Sequence, residues 1–218
     1  MTSSDAKRGE MVGAHRVTSP RVINWLIYVL GVMPGLWTFY LGLTDQLGAD
    51  PVKELEHTLG LWALRFLIVT LTITPLRELT RVNWLRYRRA LGLLAFYYAA
   101  FHFTTYLVLD QSLDLPAIGA DILRRPYITI GMFALTLLIP LALTSNNASI
   151  RRLGRNWRKL HRLAYVATLA GAVHFLLAVK SWPPEPLIYA AIVGLLLGYR
   201  LLPHTLRRPL VRRLRPQS

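Results

Sequence analysis

Six long apolar runs dominate the chain and leave it few ways to fold: 22–43, 58–76, 90–109, 127–144, 161–179 and 187–202. They hold 16 to 22 residues each, and a helix needs about 20 apolar residues to cross a hydrocarbon core of about 30 Å. A backbone inside lipid must satisfy its own hydrogen bonds, which leaves helices or closed barrels. A barrel requires alternating polar residues, and these runs have none. The chain is therefore expected to be all-α, a six-helix transmembrane bundle. The competing reading, buried helices of a soluble protein, needs polar faces that the runs lack. The sixth run is short, and residues 181–186 can lengthen it.

Charge sets the expected orientation. The formal net charge is +15, from 26 Lys and Arg against 11 Asp and Glu. In a soluble protein that excess would suggest nucleic acid, but its distribution says otherwise. Of the 26 basic residues, 21 fall on one side, in residues 1–21, in the second and fourth connections and in the tail from Arg200. The other side holds Lys53, Arg124, Arg125 and Lys180 with eight acids, among them Asp110, Asp121 and Glu185. Cytoplasmic loops collect Lys and Arg, so both termini are expected in the cytoplasm, with anionic lipid drawn to the basic loops. No nucleic-acid partner is needed. Residues 1–21 read as a polar cytoplasmic segment without a signal-peptide core, 22–202 as the membrane domain and 203–218 as a basic cytoplasmic tail. The absence of cysteine excludes disulfides, thiolate zinc sites, iron–sulfur clusters and cysteine nucleophiles. No loop is long enough for a soluble catalytic domain, so chemistry happens inside the bundle or on a partner.

Ionisable groups inside membrane spans are costly and mark functional sites by default. The candidates are Arg65, His102, His161 and His174. His102 lies 12 residues beyond Ala90, about 18 Å along a helix, and His174 lies 13 residues beyond His161, about 19.5 Å. The two thus share a depth in the outer half of the bilayer. Two neutral imidazoles from different helices at one depth are what axial ligation of haem iron requires. Small residues surround both: Gly92, Ala95 and Ala99 by His102, and Ala167, Ala170, Gly171 and Ala178 by His174. A lone histidine more often packs than ligates, and small residues also serve ordinary helix packing; their combination at one depth favours a haem. Arg65 reaches nearly the same level, and no acid lies within a span, so a haem propionate is one anion for it. Snorkelling to the outer surface is the alternative. His161 sits at the inner surface, about 140° around a straight helix from His174, so the two cannot share a porphyrin. It either ligates a second haem with a partner from elsewhere or touches lipid phosphate.

Four fragments, RALGL (89–93) before His102, RPYITIG (125–131), LTS (143–145) and LGRNWRKLHRLAY (153–165) before His174, carry a resemblance. Together, over residues 20–200, they resemble the haem-binding membrane subunit family of the bacterial periplasmic protein-methionine-sulfoxide reductase system, the MsrQ family of the ferric-reductase-like transmembrane superfamily. The resemblance implies an electron carrier of the inner membrane without an active site of its own. Quinol or a cytoplasmic flavin reductase would supply electrons. They would pass through haem b to a periplasmic molybdopterin-containing reductase subunit, in a heterodimer that repairs protein methionine sulfoxide. The family's haem histidines fall on His102, His161 and His174, and FMN is implied as a further cofactor. Two-haem relatives carry another histidine on the third span, where this chain has Arg88 and Arg89. Two rival functions remain at this point: a stand-alone ferric or quinone reductase, and a small proton-relay transporter, for which repeat symmetry or broken helices would be expected.

Overall fold

The computed structural model describes residues 20–80, 82–179, 183–203 and 205. Most of the polar N-terminal segment with His15, Arg81, residues 180–182, His204 and nearly all of the basic tail lie outside the described residues.

All regular structure among the described residues is helical. The order is α1 (Pro20–Leu43), α2 (Pro51–Thr80), a 3-10 turn (Leu85–Tyr87), α3 (Arg88–Thr105), a π-helical turn (Tyr106–Asp110), α4 (Leu115–Arg124), α5 (Pro126–Leu143), α6 (Asn147–Leu153), α7 (Arg155–Leu160), α8 (Leu163–Ala178) and α9 (Pro184–Leu201). Local chemistry sets several boundaries. Proline occupies the first turn of α4, α5 and α9, where its missing N–H costs nothing. Asp114 caps α4 by accepting from the Ala117 amide at 3.0 Å, and Asn146 caps α6 by accepting from Ser149 at 2.7 Å. Gly154, at φ +50°, breaks α6 from α7.

Five stretches among the described residues are long and apolar enough to cross a membrane: Arg21–Leu43, Pro51–Thr80, Leu85–Asp110, Pro126–Leu143 and Arg155–Ala178. They match the first five expected runs, with the fourth and fifth ending one residue sooner. The sixth run forms α9, an 18-residue helix diluted by Glu185, Arg200 and two tyrosines, which does not join these five. Two boundaries differ from expectation. α2 starts seven residues before the expected run and continues through Pro75 to Thr80, so Lys53, Glu56 and His57 are helical. The fifth run opens on a turn at His161 and Arg162 that separates α7 from α8, so its helix starts at Leu163.

α2 packs chiefly on α3, and α5 on α8; contacts between α3 and α5 and between α2 and α8 close these four into a ring. α1 lies outside against α3 and α2, and α9 against α8 and α2. Leu59, Ala63, Leu67, Leu94, Ala95 and Ala167 are buried at the centre. Trp25, Leu30, Leu36 and Trp37 on α1 are each more than 60% exposed. Water would penalise that face, and lipid tails would not. α1 approaches α3 through Gly31 and Gly35, four residues apart, as close membrane helix contacts commonly do. There the Tyr98 hydroxyl donates to the Gly31 carbonyl and accepts from the Gly35 amide, both at 2.8 Å. It thus bridges the carbonyl and amide of an i, i+4 pair beside Pro34.

Candidate functional site

The four-helix ring encloses a cavity of about 580 Å³, bounded by α2, α3, α5 and α8. His102 of α3 and His174 of α8 both line it, with ring centroids 6.1 Å apart and ring planes 70° apart. The Nδ1 of His102 lies 2.8 Å from the Glu56 carbonyl oxygen, and the Nδ1 of His174 lies 2.7 Å from that of Tyr127. A carbonyl can only accept, so each Nδ1 carries the proton and each Nε2 keeps a lone pair.

A tetrapyrrole iron held by two imidazoles makes three demands, and the cavity meets each. Two metal–nitrogen bonds of about 2 Å, together with the two rings, put the centroids about 6 Å apart, as they are here. Each ring must present a free nitrogen, and each does. The slot must be largely apolar, and Leu64, Leu67, Leu135 and Leu138 form its walls. The residues present therefore fit a bis-histidine haem.

The cavity's polar end is built from groups that stood as loop residues in the sequence. Lys53 pairs with Asp110 and lies 3.4 Å from Glu56; Arg125 lies 3.1 Å from Asp121. Lys53, Glu56, Asp110 and Arg125 all line the cavity. Asp110 arrives there through the π-helical turn that ends α3, a backbone feature common near functional sites.

The other expected site residues fall elsewhere. Arg65 does not line the cavity: its Nε donates to the Tyr189 hydroxyl at 2.7 Å, an Nη lies 3.8 Å from Glu185, and the guanidinium covers the Trp62 ring at 4.9 Å. Its anion is thus Glu185, which opens α9, and the guanidinium does not need a propionate. His161 is remote from the cavity as well. Its Nε2 lies 3.0 Å from the Thr144 hydroxyl, its ring stacks on Trp157 at 4.0 Å, and the Trp157 indole donates to the Thr144 carbonyl at 2.9 Å. The three other described histidines, His57, His102 and His174, all line the cavity. Of the small residues, Ala99, Ala167, Gly171 and Ala178 reach the cavity, whereas Gly92, Ala95 and Ala170 do not.

Sequence reasoning missed Gly60 and Gly131. A Cβ added at Gly60 would lie 3.2 Å from His102 Nδ1, and one at Gly131 would lie 2.8 Å from His174 Nδ1. The available signal was that each is the single glycine of its long helix.

Comparison with known proteins agrees with this geometry. Residues 59–172 match the family described as the ferric reductase like transmembrane component. A Brucella ovis protein described as protein-methionine-sulfoxide reductase heme-binding subunit MsrQ is 66% identical over 192 residues, covering 88% of this chain and 85% of the relative. A Brucella anthropi protein of the same description is 64% identical over 195 residues, 89% of each chain. The chain is accordingly a multi-pass membrane protein that belongs to the MsrQ family within the ferric-reductase-like transmembrane proteins.

Proposed function

We propose that this chain holds haem b between His102 and His174 and conducts electrons across the membrane to a partner that reduces methionine sulfoxide in proteins. The observation that carries this reading is the pair of imidazoles facing one cavity at 6.1 Å, each with Nδ1 spent on a backbone carbonyl. Haem supplies one-electron ferric–ferrous chemistry when bound. His102 and His174 provide its ligands, and the Glu56 and Tyr127 carbonyls hold the proton on each Nδ1 and orient the rings. The leucine walls keep water away and lower the local dielectric, which tunes the potential. Lys53 and Arg125 bring positive charge to the polar end.

The names of the relatives join haem binding to a methionine-sulfoxide reductase, which supports such a subunit as the acceptor. We take that acceptor to be a periplasmic molybdopterin enzyme in a heterodimer with this chain. The donor is quinol or a cytoplasmic flavin reductase. The excess of basic residues on one side supports an inner-membrane orientation with both termini cytoplasmic and α9 as a sixth crossing. FMN would sit at the opposite end of the bundle, where the arginine-rich connections offer partners for its phosphate; were His161 there to ligate a second haem, the other ligand would not be a histidine of the third span, which carries Arg88 and Arg89 at that level.

The test is reoxidation of the anaerobically reduced, detergent-solubilised protein. The reduced absorption bands should decay when the partner reductase and a methionine-sulfoxide substrate are both added, and persist when either is omitted. Equally fast decay with a ferric chelate alone would favour a stand-alone reductase. A protein without redox-active absorption would overturn the reading.

A further inference from the structure

We infer that Gly60 and Gly131 are positioning residues for the two axial histidines, each opening one backbone carbonyl to an imidazole from the neighbouring helix. This inference rests on the haem reading above. The Glu56 carbonyl that receives His102 precedes Gly60 by four residues, and the Tyr127 carbonyl that receives His174 precedes Gly131 by four. In an α-helix the carbonyl at i bonds the amide at i+4 and keeps a second lone pair. The side chain at i+4 leans toward the helix N-terminus and covers the turn that carries that carbonyl. Glycine at i+4 uncovers it. The same spacing recurs on two unrelated helices and serves two histidines on two others, so the device is built twice.

The clearances show what a side chain at either position would press on. A Cβ at Gly60 would meet His102 Nδ1 at 3.2 Å and Cε1 at 3.3 Å; at Gly131 it would meet His174 Nδ1 at 2.8 Å and Cε1 at 3.0 Å. Both contacts press on the ring edge that makes the carbonyl bond. The ring would have to shift, by more at Gly131 than at Gly60, straining that bond and turning the imidazole plane. At Gly194 and Gly198 of α9 an added Cβ meets nothing within 4 Å, and at Gly171 only Leu64 Cδ1 at 3.9 Å. The glycines of α8 and α9 thus have room that Gly60 and Gly131 lack; on α1, Gly31 and Gly35 are crowded instead by Leu94 and Tyr98, at the close approach to α3.

The experiment uses full-length protein carrying Gly60→Ala, Gly131→Ala or, as a control, Gly194→Ala, with haem affinity and the low-spin electron paramagnetic resonance signal of the oxidised protein as readouts. Loss of a group that orients a metal ligand typically weakens metal affinity about 10- to 100-fold. Gly131→Ala should fall in that range and shift the low-spin signal. Gly60→Ala should shift it less, in keeping with its larger clearance, and Gly194→Ala should match wild type. Folded Gly60→Ala and Gly131→Ala proteins with wild-type affinity and signal would overturn the inference and leave the haem reading intact. Wild-type protein that takes up no haem would overturn the haem reading itself. Should the alanine variants not fold, the wild-type signal decides. Seats that hold the planes 70° apart require a highly anisotropic low-spin signal, and a rhombic signal from parallel planes would overturn them.

Discussion

Arg65 carries its charge into an apolar helix face and finds its partners on α9. The guanidinium is shared among Tyr189, Glu185 and the Trp62 ring, with about a third of the side chain exposed. A pair so open to its surroundings contributes about 0–1 kcal/mol. Arg65→Gln should therefore keep the full haem spectrum while lowering the melting temperature by a few degrees at most, as thermal unfolding in detergent would read. Loss of haem in that variant would return Arg65 to the cofactor. The histidine pair was legible in the sequence, because a helix rises by a fixed amount per residue and two positions can be compared by counting. Arg65's partner was not, since Glu185 belonged to a stretch counted as loop. Gly60 and Gly131 were illegible for a different reason: their role depends on which helices are neighbours, and periodicity within one run carries no such information.

Helix lengths and breaks decide what reaches the cavity. α2 starts early enough to bring Lys53, Glu56 and His57 to its polar end, and the π-helical turn after α3 brings Asp110 to meet Lys53. Apolar runs mark the lipid-embedded part of a helix and are silent about polar turns that extend it, which is why Lys53, Glu56 and Asp110 read as loop. The break at His161 was equally hidden, because no proline or glycine lies within α7 or the turn that follows. One hydroxyl bridges α1 to α3. Tyr98 supplies an acceptor to Gly35 and a donor to Gly31 beside Pro34. Tyr98→Phe would take that partner from a half-buried amide and a buried carbonyl, at a cost of about 1–3 kcal/mol. Its expected signature is a lower melting temperature with unchanged haem absorption, and an unchanged melting temperature would show that α1 docks without that bridge.

Taken together, the bundle places two chemically distinct regions at opposite ends of one apolar barrier. His102 lies 13 residues from Arg89, about 20 Å along α3. One region is the histidine-lined cavity; the other is the Thr144, Trp157 and His161 cluster, near which Arg89 bonds the Ser145 carbonyl and the Asn147 side chain. A conduit needs a redox group held at a defined depth, and in this chain that requirement comes down to the two rings 6.1 Å apart. The reduced-minus-oxidised absorption spectrum of the purified full-length protein, with haem quantified as its pyridine adduct, tests this directly. Wild type should show a low-spin b-type haem, and His102→Ala and His174→Ala should each lose that band while still inserting in the membrane. An unaltered spectrum in either histidine variant would contradict the account.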